Sequence, residues 1–82
     1  MRTTIEVIGV GQRKAGISKA NRPYDMTDIS FKYPHQQFQG EKAETVGFPA
    51  DVIGNRKIAV GDILDVEMFQ MKYKTYIGCI YG

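Results

Sequence analysis

The stretch Tyr24-Asp-Met-Thr-Asp-Ile-Ser-Phe-Lys-Tyr-Pro34 decides the fold class of this chain. Asp25, Thr27, Ile29, Phe31 and Tyr33 fall on one parity and Tyr24, Met26, Asp28, Ser30 and Lys32 on the other. A period of two that gathers Ile29, Phe31 and Tyr33 on one side is the signature of a strand with one buried face. Pro34 stops it, because proline has no N–H to give to a ladder. Immediately upstream, Gly11 to Pro23 is basic and rich in turn formers, with Gly16 and Asn21 as natural turn positions. Pro23 restricts Arg22 to extended geometry, so the chain re-enters a strand at Tyr24. Farther upstream, Thr3 to Val10 is β-branched almost throughout, with Ile5 and Val7 on one parity and Ile8 and Val10 on the other. This predicts a first strand covered in part on both faces and ending at Gly9-Val-Gly11.

Downstream, His35-Gln-Gln-Phe-Gln-Gly40 is polar apart from Phe38 and reads as a hairpin tip or an irregular connection. Glu41 to Phe48 reads as a third, weaker strand, and Pro49 to Gly54 as a turn or one short helical turn. Within Ile63 to Tyr73, Leu64, Val66 and Met68 alternate with Asp65, Glu67 and Phe69, and Thr75 to Tyr81 follows after a tight connection near Tyr73-Lys74. No apolar pattern of period 3.6 reaches helical length. Five short strands joined by Gly- and Pro-containing segments predict an all-β domain spanning residues 1–82, either a sandwich or a barrel. The expectation adopted is a small five-stranded antiparallel barrel of the oligonucleotide-binding (OB) type with a protruding basic hairpin.

A chain of 82 residues is long enough for one compact core. Its single Cys79 leaves no intramolecular disulfide, and without a CxxC or a His/Cys cluster there is no candidate zinc site. No cofactor is expected, and a reducing, cytoplasmic setting fits. Neither an export signal nor a membrane anchor is expected, since no run approaches the ~18 apolar residues of a spanning helix. Catalysis has no support either. His35 stands alone, Ser18 has no nearby base, and Gly9-Val-Gly11 with Gly16 lacks the Gly-Lys-Ser/Thr ending of a phosphate loop.

Charge singles out the upstream stretch. Arg13, Lys14, Lys19 and Arg22 give Gly11–Tyr24 a charge of +4 with no acid inside it, while the whole chain carries +2. A loop that gathers cations on a near-neutral body suits a polyanion, because each phosphate neutralised releases counterions. Single-strand binding without sequence preference adds aromatic platforms on which bases stack. Tyr24, at the root of the basic loop, is the first candidate platform. Phe31 and Tyr33 follow, although Phe31 shares a parity with Ile29 and one parity must line the core. Phe38, isolated among glutamines, is read as a ligand or dimer contact. Lys72 and Tyr73 at the second hairpin tip are secondary candidates.

These residues carry a resemblance. Lys14-Ala-Gly-Ile-Ser-Lys-Ala-Asn-Arg-Pro-Tyr24 resembles the DNA-binding hairpin of the filamentous-phage single-stranded-DNA-binding proteins, the gene V type. Lys14, Gly16, Ile17, Ser18, Lys19, Arg22, Pro23 and Tyr24 match that hairpin in kind and spacing without a gap. Close matching covers eleven residues of 82; elsewhere only the outline agrees. The resemblance implies a homodimer of OB-like subunits that coats single-stranded DNA cooperatively during phage replication and packaging. It implies phosphate contacts for Lys14, Lys19 and Arg22, with Arg13 as an alternative to Lys14, and base stacking for Tyr24. Phe31, Tyr33 and Phe38 stand for the family's downstream aromatics by position, not by residue-for-residue match.

The C-terminal ribbon asks for a partner as well. Ile63, Leu64, Val66, Met68, Phe69, Met71, Tyr73, Tyr76, Ile77, Cys79, Ile80 and Tyr81 place apolar surface on both parities, and Phe69 and Tyr73, which share one, could instead reach the DNA groove. That pattern predicts packing against a second copy, unless one barrel absorbs both faces. Two other functional classes fit the same residues: an RNA-binding OB module, and a protein-interaction module using the ribbon. Four cations on a single strand predict a log–log salt slope near roughly −2.8.

Overall fold

A computed structural model of the chain describes residues 1–34, 39–72 and 74–81. Five strands, β1 (Arg2–Ile17), β2 (Pro23–Pro34), β3 (Glu41–Pro49), β4 (Ile63–Gln70) and β5 (Thr75–Tyr81), form one antiparallel sheet of order β3-β2-β1-β4-β5. A single helical turn, α1 (Ala50–Ile53), follows β3. The all-β, five-stranded expectation holds, and the β2, β3, α1 and β5 spans agree with it to within a residue or two.

The first strand is the exception. It runs on through Gly9-Val-Gly11 to Ile17 instead of stopping there. Two irregularities in its pairing with β2, between Val7 and Gly9 and between Val10 and Arg13, each insert one extra residue into β1. Such bulges bend and re-aim a strand without ending it. Gly11 is needed at the second bulge, where a Cβ would stand 3.1 Å from the Asp28 carbonyl oxygen. Glycines that read as a stop are therefore the joints of a continuous strand.

The core is lined by Ile5 and Val7 of β1, Ile29, Phe31 and Tyr33 of β2, Val46 and Phe48 of β3, Val66 and Met68 of β4, and Ile77 of β5. Phe31 is central, with its ring centroid 5.8 Å from that of Tyr33 and 6.1 Å from that of Phe48. Val52 and Ile53 of α1 pack against this cluster.

The sheet curls until its edge strands meet, but side chains bridge that seam. Thr75 Oγ1 donates to Glu44 Oε1 at 2.9 Å, Tyr33 Oη donates to Glu44 Oε2 at 2.5 Å, and Gln70 Nε2 donates to Tyr33 Oη at 2.9 Å. Among the described residues no backbone ladder joins β3 to β5, so the sheet is curled and not a closed barrel. Burial, with the Glu44 carboxylate beside it, pushes the Tyr33 phenol up to about 12.

The register divides β1 in two. Arg2 to Glu6 pair with β4, while Glu6 to Ile17 pair with β2. Beyond Val10 the β1–β2 ribbon projects as a finger, flanked by β3 as far as Met26, which pairs with Pro49, and two-stranded from Ala15 and Asp25 to the tip. At ~3.3 Å per residue the seven β1 residues from Gly11 to Ile17 span roughly 23 Å. The finger accounts for a longest dimension of 41 Å and a radius of gyration of 13.0 Å, against roughly 12 Å for a compact chain of this length.

Candidate nucleic-acid interface

The fingertip is a three-residue loop, Lys19-Ala20-Asn21. Asn21 N–H donates to Ser18 O at 2.9 Å, and Ser18 N–H donates to Arg22 O at 2.8 Å. Arg22 N–H donates to Ser18 Oγ at 3.3 Å. Asn21 sits at φ 59°, the left-handed position that follows a three-residue hairpin turn and that Asn tolerates. The turn fixes the register that follows: Ile17 opposite Pro23, Gly16 opposite Tyr24, Ala15 opposite Asp25 and Lys14 opposite Met26.

Gly16 is therefore a strand residue and not the turn position that its type suggests. Its role is steric. A Cβ there would stand 3.0 Å from Tyr24 Oη and 3.3 Å from Cζ, so the bare backbone is the bed on which the Tyr24 ring lies. The ring remains 41 % exposed. Held across the ladder with one side open, it has the geometry of a stacking platform.

The four cations divide into two pairs. At the tip, Lys19 and Arg22 are exposed, and among the described residues no carboxylate pairs with either side chain. Along the shaft, Arg13 donates from Nε to Asp25 Oδ1 at 2.7 Å and from Nη2 to Asp25 Oδ2, a two-pronged pair. Lys14 Nζ lies 3.1 Å from Asp28 Oδ2. The Arg13 guanidinium holds the Asp25 carboxyl below the usual carboxylate range. Four cations and two carboxylates leave the finger at +2, so its shaft is neutral and its tip is not. Asp25 and Asp28 lie just outside the stretch counted as uniformly basic. Both reach their cations diagonally across the ladder, a contact that becomes legible once the turn, and with it the register, is placed at Lys19–Asn21.

The other candidates lie elsewhere. Phe31 and Tyr33 are 0 % and 1 % exposed, packed into the core on the parity of Ile29. Rings so enclosed have no face to offer a base, and the expectation that they stack is corrected. Lys72 is exposed in the β4–β5 connection, at the opposite end of β1 from the fingertip, because Gln70 and Thr75 pair beyond the Arg2 end of the ladder. It is not part of the finger site. Phe38, Tyr73 and His35 lie outside the described residues. Phe69 and Tyr76, two residues of the apolar ribbon, stand opposite each other on the outer face, with Lys74 Nζ 5.1 Å from the Tyr76 ring centroid.

Among the described residues no group of three or more His, Cys, Asp or Glu side chains is placed to hold a metal ion, and no helix is long and apolar enough to cross a membrane. Searches against protein-family profiles, curated proteins and solved structures found nothing that matches this chain.

Proposed function

We propose that the chain is a non-enzymatic binder of single-stranded DNA, largely indifferent to sequence, whose contact element is the β1–β2 finger. The observation that carries this reading is the exposed Tyr24 ring on its Gly16 bed, beside a fingertip whose two cations, Lys19 and Arg22, no carboxylate neutralises among the described residues. A base stacks on the ring while neighbouring phosphates meet the cations of the tip. Coating of single strands during filamentous-phage replication is the setting implied by the resemblance of Lys14–Tyr24 to that family's hairpin.

A symmetric dimer belongs to the same reading. The inner parity of β4–β5 fills the core, but Ile63, Phe69, Met71 and Tyr76 stay exposed, so the ribbon's surplus apolar surface is not absorbed by its own subunit. Sedimentation at micromolar concentrations checks this, with a monomer counting against it.

Fluorescence polarisation with oligo-dT, oligo-U and duplex DNA at two salt concentrations tests the function. Two unpaired cations set the expected single-strand slope near about −1.4 per subunit, half of that for four. Changing Lys19 and Arg22 together to Ala removes most of that slope. Oligo-U binding as tight as oligo-dT binding assigns the site to RNA as well. Absence of single-strand binding in dilute buffer, or equal affinity for duplex, overturns the reading.

A further inference from the structure

We propose that Asp25 and Asp28 are specificity-determining residues of the finger: by occupying Arg13 and Lys14 they cap its charge, so that affinity depends on base stacking at Tyr24 and duplex DNA is disfavoured. The inference rests on the reading of the finger as a single-strand site.

Three features carry it. First, both pairs are diagonal. Arg13 stands directly opposite Thr27 and Lys14 opposite Met26, yet each cation reaches past its neighbour to a carboxylate two residues away. Second, the pairs cover both faces. Lys14 and Asp28 share the face of Tyr24 and Gly16, and Arg13 and Asp25 share the other. Every shaft cation is thus occupied, whichever side a polyanion approaches from. Third, the two cations are largely solvated, Arg13 and Lys14 being 70% and 64% exposed against 31% and 37% for Asp25 and Asp28, and pairs with so exposed a partner add little to stability. Their stronger effect is on what the cations can do. Asp25 fills the Nε–Nη2 edge of the Arg13 guanidinium and neutralises its charge, so a phosphate meets a smaller set of donors and releases fewer counterions there.

The chemistry of the competing ligands supplies the selectivity. Duplex DNA presents about one charge per 1.7 Å of axis, a denser array than a single strand, but it hides the faces of its bases. A finger with four available cations would favour the denser array. One with two cations and an open ring favours the ligand whose bases can be stacked.

The experiment compares the wild-type chain with Asp25→Asn, Asp28→Asn and the double variant in titrations with oligo-dT and duplex DNA across a salt series. Each freed cation steepens the slope by about 0.7 on oligo-dT and about 0.9 on duplex. At about 50 mM salt those increments raise single-strand affinity up to about eightfold per site, and in the double variant they lower the single-strand preference about threefold. Asp25→Asn has the larger effect, since it frees the doubly held guanidinium, and Asp25→Glu retains the wild-type preference. Circular dichroism verifies the fold, and Asp28→Asn, at the more exposed of the two carboxylates, supplies a variant if Asp25→Asn fails to fold. Wild-type binding to oligo-dT with slopes and preference unchanged in the variants overturns the role of the two carboxylates. Failure of the wild type to bind oligo-dT overturns the single-strand reading itself.

Discussion

The β1–β2 finger and the β4–β5 hairpin are built on the same local device and rest on different foundations. In each, an aromatic ring lies over a glycine of the partner strand: Tyr24 over Gly16, and Phe69 over Gly78, where a Cβ would come within 2.6 Å of ring carbon Cε2. Beneath the hairpin, Val66, Met68 and Ile77 enter the core, and Gln70 and Thr75 tie its tip to the Tyr33–Glu44 seam. Past Lys14 and Met26 no third strand flanks the finger among the described residues and none of its side chains is buried, so there the ring on its glycine is a main apolar contact across the ladder. The contrast shows how one cross-strand contact serves two ends. Over a core it finishes the packing, and away from one it keeps a ribbon in register while leaving the ring available to a ligand.

The contrast breaks most sharply at Met68. Met68→Ala empties part of the core under the hairpin and is expected to cost about 2–5 kcal/mol in urea unfolding. A loss of only a few tenths would mean that the hairpin is no better founded than the finger. Next comes the seam that holds the hairpin tip. Because the Tyr33 phenol is raised from 10 to about 12 in the fold, its contribution is intact below pH 10 and is lost as pH rises through 12. At about 1.36 kcal/mol per pK unit the loss is at most about 2.7 kcal/mol. Unfolding free energy measured from pH 9 to 12 should fall accordingly, and Tyr33→Phe should flatten the fall.

At the finger, Tyr24→Ala is expected to weaken oligo-dT binding by about 1–3 kcal/mol while leaving the unfolding transition of the body nearly in place. An unfolding loss of that size instead would make the ring structural. The smallest effect is expected at its bed. Gly16→Val crowds the ring, which is free to swing outward, and should weaken binding by about 1 kcal/mol as read by the same titration.

Much of this architecture could be read from residue pattern. The parity of Ile29, Phe31 and Tyr33 identified the buried face of β2, and Pro34 marked its end, because both follow from the geometry of a single strand. The same parity already pointed to Phe31 and Tyr33 as core residues, and it outweighs the likeness in position that made them ligand candidates. The length of β1 was not legible, since glycine marks a turn and a bulge alike and only the partner strand distinguishes them. The half-neutralised shaft was hidden for a similar reason. Arg13 and Asp25 are twelve residues apart in the chain and become neighbours only through the hairpin register.

Where β3 meets β5, the described residues are held by hydroxyl, amide and carboxylate groups, and no main-chain ladder crosses. The sheet can therefore unroll along that line with every strand pairing intact. Opening there leaves the ladders whole but uncovers Phe48 on one side and Ile77 on the other, so the polar contacts of the seam and the burial of the core are lost together.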